Sequence, residues 1–575
     1  MPLSSPYPPI ENYGLIGDLR TAALVGPGGS LDFLCFPSFD SPSVFCATVD
    51  AERGGRFQLA PELPEADERR LYLPDTIILL SRFLATSGVA EISSFLHVSE
   101  NEDHPQVLVR RAKCVRGAVT FHLWLQPRFD YARASHRAEG RASGEVILLS
   151  EGDDRLALRF TAGTPLTIDK VGDVRATFTL HAGETVSFFL ENAEAETVVE
   201  QPARASVRLF KETANYWRRW IGRAQYHGRW REAVHRSALA LKLLTSREHG
   251  SIIAAPCFGF PNEVGGERNW DYRYTWLRDA AFTIYALMRL GYTGEAAAFM
   301  RWLEARIGEL DGQAELEIMY RIDGRPIGGE FHLDHLSGYR QSLPIRIGST
   351  NHGQRQLDIY GELLDAVYLY DKYGEPVSYD FWKSLQRLIN LVCKLWQTPD
   401  AGIWEARGGN RHFLFSRLMC WVALDRGIRL ARKRGLPAPL DHWLRHRDAI
   451  YEDIFSQFWD PGKGAFTQSL GSTALDAAAL MMPLVRFISP TDPRWLSTQR
   501  AIERELTADS LVYRYRVGEA LDDQLAGGEG TFSICSFWLI ECISRSGDLP
   551  KARYLFEKML GYRNALGLFS EQIGL

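Results

Sequence analysis

The run NWDYRYTWLRDAAFTIYALMRL, Asn269 to Leu290, closes in a segment, Trp276 to Leu290, that is apolar over most of a helical circumference. A helix of that kind is buried on nearly all sides. The segment after it, 295–309, is apolar along one stripe only, as suits a helix with a wet outer face. The succession returns: 412–430 (HFLFSRLMCWVALDRGIRL), 473–487 (TALDAAALMMPLVRF) and 530–546 (GTFSICSFWLIECISRS) are apolar all round, and 439–458, 493–506 and 549–562 follow as one-sided helices. In the last of these Ala552, Leu555, Phe556, Met559 and Leu560 share a stripe while Lys551, Arg553, Glu557 and Lys558 face away. The pair 355–374 and 377–397 obeys the rule less sharply, and 229–246 begins the series. Inner helices enclosed by neighbours and outer helices with one wet face are what two concentric layers require, so the pattern predicts an α/α barrel. An open solenoid would show a repeated motif, and none recurs.

Upstream the apolar period is two. Val119, Phe121, Leu123 and Leu125 share one face of VTFHLWLQ, and Val186, Phe188 and Leu190 repeat the pattern. Turn punctuation such as PGGS at Pro27 and ERGG at Glu52 separates short segments, which predicts an antiparallel β-sandwich over residues 1–200. Its Pro-rich first nine residues read as an extended arm. Near Gln201 the period changes to 3.6, and Val207, Phe210, Ala214, Trp217 and Ile221 mark a helix over 205–223. The expected organisation is a sandwich (1–200), a helical linker (201–228) and a barrel (229–575).

The chain has 575 residues with a formal net charge of -5, an ordinary globular balance that offers no basic field to nucleic acid. No uncharged stretch reaches membrane-spanning length, and the N-terminus lacks the basic start and apolar run of a secretory leader. The eight cysteines contain no C-x-x-C pair and read as buried thiols, which points to the cytoplasm. Nothing implies a cofactor. His332 and His335 in FHLDH lack a second pair of ligands and read as ordinary loop residues rather than a metal site.

The stretch Asn269–Asp279 mixes four aromatic rings with two arginines and two carboxylates over what reads as three helical turns. Aromatic faces suit stacking on a sugar ring, and Arg278 beside Asp279 offers a donor and an acceptor to paired hydroxyls. The ordinary alternative is an aromatic helix start with a structural ion pair. Three irregular stretches, 308–353, 398–411 and 514–530, are long enough to serve as binding loops. Acidic residues stand where helices begin, at Asp279, Glu405 and Glu529, with Glu571 after the last helix. Glycoside hydrolysis needs two such groups on opposite sides of the scissile bond. Glu529 also reads as an acid stabilised by a helix dipole.

The motifs YTWLRDAAF at Tyr274, QLDIYGELLDA at Gln356, GIWEARGG at Gly402, RYR at Arg514, GGEGTFSICSFWL at Gly527 and LFSEQI at Leu568 together resemble glycoside hydrolase family 15, the glucoamylase and bacterial trehalase family. The N-terminal run IENYGLIGDLRTAALVGPGGSLDFLCFPSFDSPSVF is similar to the β-sandwich of its prokaryotic members. The resemblance implies an (α/α)6 barrel and an inverting, exo-acting α-glucoside hydrolase that releases β-glucose. It implies Glu405 as general acid and Glu571 as general base, with Trp276, Arg278 and Asp279 holding the terminal glucose. Arg514 and Glu529 fall on substrate-contacting positions, and Trp404 on a stacking wall. A raised pKa at Glu405 beside Trp404, an ionised Glu571, and a gap of about 6.5–9.5 Å between the two carboxyl groups are expected.

In the family a further barrel helix follows the Ser-Glu-Gln motif, whereas this sequence gives eleven barrel helices from residue 229 onward. The expectation is a ring open on one side or closed by the 205–223 helix. The rival to an active enzyme on a small or oligomeric α-glucoside is a homologue that binds glucosides without turnover. The linkage cleaved and the oligomeric state are not legible in the chain.

Overall fold

The computed structural model describes residues 6–101, 104–141, 145–152, 154–161, 164–193, 201–310, 315–518, 525 and 528–575. The first five residues of the expected arm lie outside them, as does part of the 514–530 stretch.

Two antiparallel eight-stranded sheets form the N-terminal part. The first runs from Gly14–Gly17 through Ala22–Val25, Ser30–Cys35, Phe57–Pro61, Ala118–Leu125 and Val174–His181 to Leu166–Ile168, with Ser43–Cys46 paired to Ser30–Cys35. The second runs from His136–Gly140 to Asp67–Tyr72, with Thr185–Asn192 and Val107–Arg116 at its centre. Strand Ala118–Leu125 alternates as its sequence predicts: Val119, Phe121, Leu123 and Leu125 are buried and the residues between them face outward. Phe121 stands opposite Phe178 on the neighbouring strand, and their rings stack at 5.7 Å.

Helix α1 (Pro202–Ile221) starts on proline, whose fixed φ suits a first helical turn. Its apolar face is divided between the second sheet and the first helices of the barrel. Leu209 and Ala214 join a cluster with Ile78, Phe95, Val109 and Phe189 of the second sheet, and Ser206 is hydrogen-bonded to Ser187. At its far end Trp220 stacks on Tyr292 at 4.0 Å and donates to Glu295, which also holds Lys242 at 3.0 Å. Of the stripe marked in the sequence, Phe210 and Ala214 go to the sheet, and Trp217 and Ile221 join a core that includes Leu239, Leu243 and Leu287 of the helical part.

The helical part comprises α2 (Arg231–Leu243), α3 (Leu277–Arg289), α4 (Thr293–Gly308), α5 (Asp358–Tyr373), α6 (Tyr379–Leu395), α7 (Leu414–Arg434), α8 (Leu440–Gln457), α9 (Met481–Leu484), α10 (Pro493–Glu505), α11 (Ser533–Arg545) and α12 (Leu549–Leu560). Burial alternates as two layers demand. Every residue from Phe413 to Ile428 is buried, so α7 is enclosed, whereas α8 buries only Trp443, Ile450 and Ile454 and α12 only Ala552 and Met559. Inner helices α3 and α11 meet through Phe282 and Trp538, 5.9 Å apart. The expected helix over 473–487 is shorter, a 3-10 turn from Ala477 to Leu480 followed by the single turn of α9. Asp476 caps that turn, and beyond Pro483 the chain leaves the helix with Arg486 at φ 66. Among the described residues no helix is long and apolar enough to cross a membrane.

One buried ion pair joins the two parts. The Arg273 Nε and Nη2 groups donate to the two oxygens of Asp271 at 2.8 and 2.7 Å, and both side chains are 0% exposed. The remaining N–H groups of Arg273 go to the sandwich: Ser41 O at 2.7 Å, Cys35 Sγ at 3.2 Å and Tyr131 OH at 3.2 Å. Removing one member of such a pair strands the other charge. Arg273→Met is therefore expected to lower stability by about 3–5 kcal/mol, read as a fall in the urea midpoint.

Candidate active site

The helical reading of Asn269–Asp279 is corrected by the structure. Asn269–Asp271 pairs with Phe258–Pro261 and Thr275–Trp276 pairs with Met319–Tyr320, so the run is extended until α3 begins at Leu277. Period two then sorts its residues: Trp270, Tyr272 and Trp276 line a cavity, while Arg273 and Thr275 point into the protein at 0% exposure. The signal was in the sequence. Asp271 and Arg273 are two apart, which places them side by side on a strand and apart on a helix.

The cavity has a volume of about 510 Å³, and its wall contains all eight residues singled out from the sequence: Trp276, Arg278, Asp279, Trp404, Glu405, Arg514, Glu529 and Glu571. Of the four acidic residues among them, only Asp279 sits in the first turn of a helix. Glu405 lies in a turn ahead of α7 at φ 57, Glu529 precedes α11, and Glu571 precedes a two-residue strand, Gln572–Ile573, paired to Thr531–Phe532.

Glu405 accepts three hydrogen bonds. The Trp276 indole N–H donates to Oε1 at 3.0 Å, Arg278 Nη2 donates to the same oxygen at 3.3 Å, and the Asn351 side-chain amide donates to Oε2. Trp404 does not reach it in this way, because its N–H is committed to Asp476 at 2.9 and 3.0 Å. Arg278 is itself divided, since Nη1 donates to Gln356 Oε1 at 2.8 Å and to buried Asp358 at 2.9 Å. Burial lifts Asp279 to about 6 against the pull of Arg278, with Glu405 and Asp358 adding to the rise.

Glu571 accepts from the Tyr272 hydroxyl at 3.3 Å. Enclosure in the cavity wall raises its pKa to about 7, Asp279 adds to this, and Arg514 opposes it. The residue stays open to the cavity, so its enclosure is that of a concave wall reached by water. The sequence led us to expect an ionised group at Glu571, and the cavity pushes its carboxyl up. Arg514 grips Glu529 with two parallel bonds, one of them Nε to Oε2 at 2.7 Å, and Arg268 approaches the same carboxylate at 3.7 Å. The Arg514 guanidinium also lies against Trp404 and Phe532, at 5.3 and 4.7 Å from the ring centres.

The sequence reading offered Tyr272 only as one of four sugar-stacking faces and assigned no role to Asn351, Asp358 or Asp476. Asn351 is brought in by the 308–353 loop, whose residues 346–348 pair with Glu330–His332 and whose Gly348 N–H donates to Asp271 at 3.2 Å. Gly348 has φ 81, and a Cβ there would stand 2.0 Å from Gly329 O, so only glycine fits this approach. The N-terminal arm straps the same loop: Tyr339 OH donates to Pro8 O at 2.9 Å and Tyr7 packs edge-on against Tyr339 at 5.3 Å. Far from the cavity, Cys393, His442 and His446 gather their ligand-type atoms within 4.8 Å. There the Trp396 indole already donates to His446 Nδ1 at 3.1 Å, and burial pushes the Cys393 thiol up to about 12, so the cluster is occupied by its own hydrogen bonding.

Residues 228–570 match the family model described as glycosyl hydrolases family 15, and residues 4–217 match a trehalase-like N-terminal model. A trehalase of Mycobacterium tuberculosis is 38% identical over 595 aligned positions, covering 100% of this chain and 86% of that protein. A trehalase of Thermoplasma volcanium is 32% identical, covering 99% of this chain and 89% of its own. Among solved structures, a bacterial glucoamylase complexed with acarbose superposes with a TM-score of 0.71 at 13% identity, covering 98% of this chain and 89% of that one. That likeness concerns the fold, an (α/α)6 barrel behind a β-sandwich.

A free glutamate titrates near 4.3, so the carboxylate band that Glu571→Gln deletes is expected to grow in between about pH 6 and 8, centred on about 7. Infrared difference spectra of the wild type and the variant across that range check it.

Proposed function

Because the chain belongs to family 15 of the glycosyl hydrolases, and is a glycoside hydrolase, we propose that it cleaves the α-glucosidic bond of trehalose with inversion. The observation that carries the reading is the convergence of Glu405, Glu571 and the Trp276–Arg278–Asp279 group on one cavity of about 510 Å³. The named trehalases that span nearly the whole chain support trehalose as the substrate. The strapped 337–353 loop agrees, because a wall held by the N-terminal arm suits a compact disaccharide better than a long glucan.

In this mechanism Trp276, Arg278 and Asp279 hold the terminal glucose, with Trp404, Arg514 and Glu529 completing the wall. Protonated Glu405 gives its proton to the glycosidic oxygen as the C1–O bond breaks. Glu571 takes a proton from a water whose oxygen bonds to C1 from the opposite face. Glu405 ends ionised and Glu571 protonated, and the two are restored by exchange with solvent. A base with a pKa near the working pH couples adequate ionisation to a strong pull on the water proton. A homologue that only bound glucosides would have no use for a base held by Tyr272 and enclosed beside Asp279.

Proton NMR of fresh digests is expected to show one α- and one β-glucose per trehalose cleaved, since only the attacked carbon inverts. Two α-glucoses, or no glucose at all, would sink the proposal. Glu405→Gln and Glu571→Gln are each expected to lower kcat by about 10²–10⁴-fold. The base must be ionised and its pKa is raised, so kcat/KM is expected to fall as the pH drops through about 7 and not to hold down to the ordinary carboxylate range.

A further inference from the structure

The cavity contains a feature that the glucose clamp and the two proton-transfer groups leave unused. Trp270, on the extended run, lies against two guanidiniums, those of Arg346 at 4.7 Å and Arg407 at 4.5 Å from its ring centre. The two arginines differ in what else they do. Arg346 is buried and committed, donating to Glu267 O at 2.7 Å and Asn269 O at 3.3 Å and lying 3.4 Å from Glu330. Arg407 is half-buried in the cavity wall, and among the described residues it makes no hydrogen bond and no ion pair. The other arginines of that wall are taken: Arg278 by Asp358, Arg514 by Glu529, and Arg268 by Leu525 O and Glu529.

Arg407 follows Glu405 by two residues, past the left-handed turn at Glu405, so it belongs to the side of the cavity from which a proton reaches the leaving oxygen. Its planar fork, steadied over an indole face, presents donors spaced for two neighbouring oxygens. Those oxygens are not expected to be anionic. The wall holds five carboxylates against four guanidiniums, a balance that disfavours a phosphate or carboxylate ligand. A neutral polyol fits, with adjacent hydroxyls accepting from the guanidinium and an apolar ring face resting against the Trp270 edge of the site.

We infer that Arg407, held on Trp270, is the recognition group for the leaving sugar, donating to a pair of its hydroxyls and so selecting a glucoside whose leaving group is a second hexose. This rests on the function proposed above and concerns the half of the substrate that the clamp does not touch. It makes Arg407 a specificity-determining residue rather than part of the proton-transfer pair.

The test compares trehalose with 4-nitrophenyl α-D-glucoside, which shares the clamped glucose but has a flat leaving group without hydroxyls. For Arg407→Ala the ratio of kcat/KM on trehalose to that on the aryl glucoside is expected to fall about ten- to a hundredfold, the loss of one or two charge-assisted hydrogen bonds, and to be carried mainly by KM for trehalose. Arg407→Lys, which keeps the charge without the fork, is expected to fall between the alanine variant and the wild type, and it decides the matter if the alanine variant does not fold. Parallel losses on both substrates would overturn the inference, because Arg407 would then act by shaping the Glu405 turn. An unchanged ratio would overturn it as well. If the wild type releases glucose from maltose but not from trehalose, the substrate reading fails; the ratio is then taken with maltose, where the same drop supports the subsite and a parallel loss overturns it.

Discussion

The buried pair of Asp271 and Arg273 is the constraint on which the site depends. Two ions without water are costly unless every lone pair and proton is engaged. Here Arg273 spends its spare donors on the sandwich and Asp271 accepts the Gly348 N–H of the long loop. Three separate parts of the chain therefore meet on one charge pair. From Gly348 the chain needs only three residues to deliver Asn351 to Glu405. A sandwich that, among the described residues, contributes no group to the cavity wall in this way fixes the attitude of a group that does.

Charge is allocated unevenly around the cavity. Arg278 is shared among Asp358, Gln356 and Glu405, and Arg514 is spent on Glu529. Asp279 and Glu571 are left with less positive charge than they need, and burial lifts both. The two carboxylates assigned to proton transfer thus sit in different settings, one held by three donors and the other by a single phenol beside a like charge.

The barrel was legible because its evidence is redundant: enclosed α7 and one-sided α8 and α12 each repeat the same contrast over several turns. The sheets were legible for the same reason, since alternation in Ala118–Leu125 meets its partner strand in register. What escaped was local and short. The extended form of Asn269–Trp276 rests on two-residue pairings to distant segments, 258–261 and 319–320, and no periodicity within the run can outweigh them. The eight residues that prove to line one cavity were singled out by motif, while Asn351 and Asp358 were not, because what marks them is what they touch across the fold. The rise at Glu571 was missed for the same reason, since burial and the approach of Asp279 bring it about across the fold, and Trp404, adjacent in sequence to Glu405, turns its polar edge to Asp476.

Tyr272 and Trp276 are neighbours on one extended segment, with ring centres 6.2 Å apart, and each holds one of the two glutamates by a single hydrogen bond. The two glutamates are thereby tied to one short segment of chain, Tyr272 to Trp276, as well as to the barrel. A displacement of that segment would therefore move the settings of both carboxyl groups together.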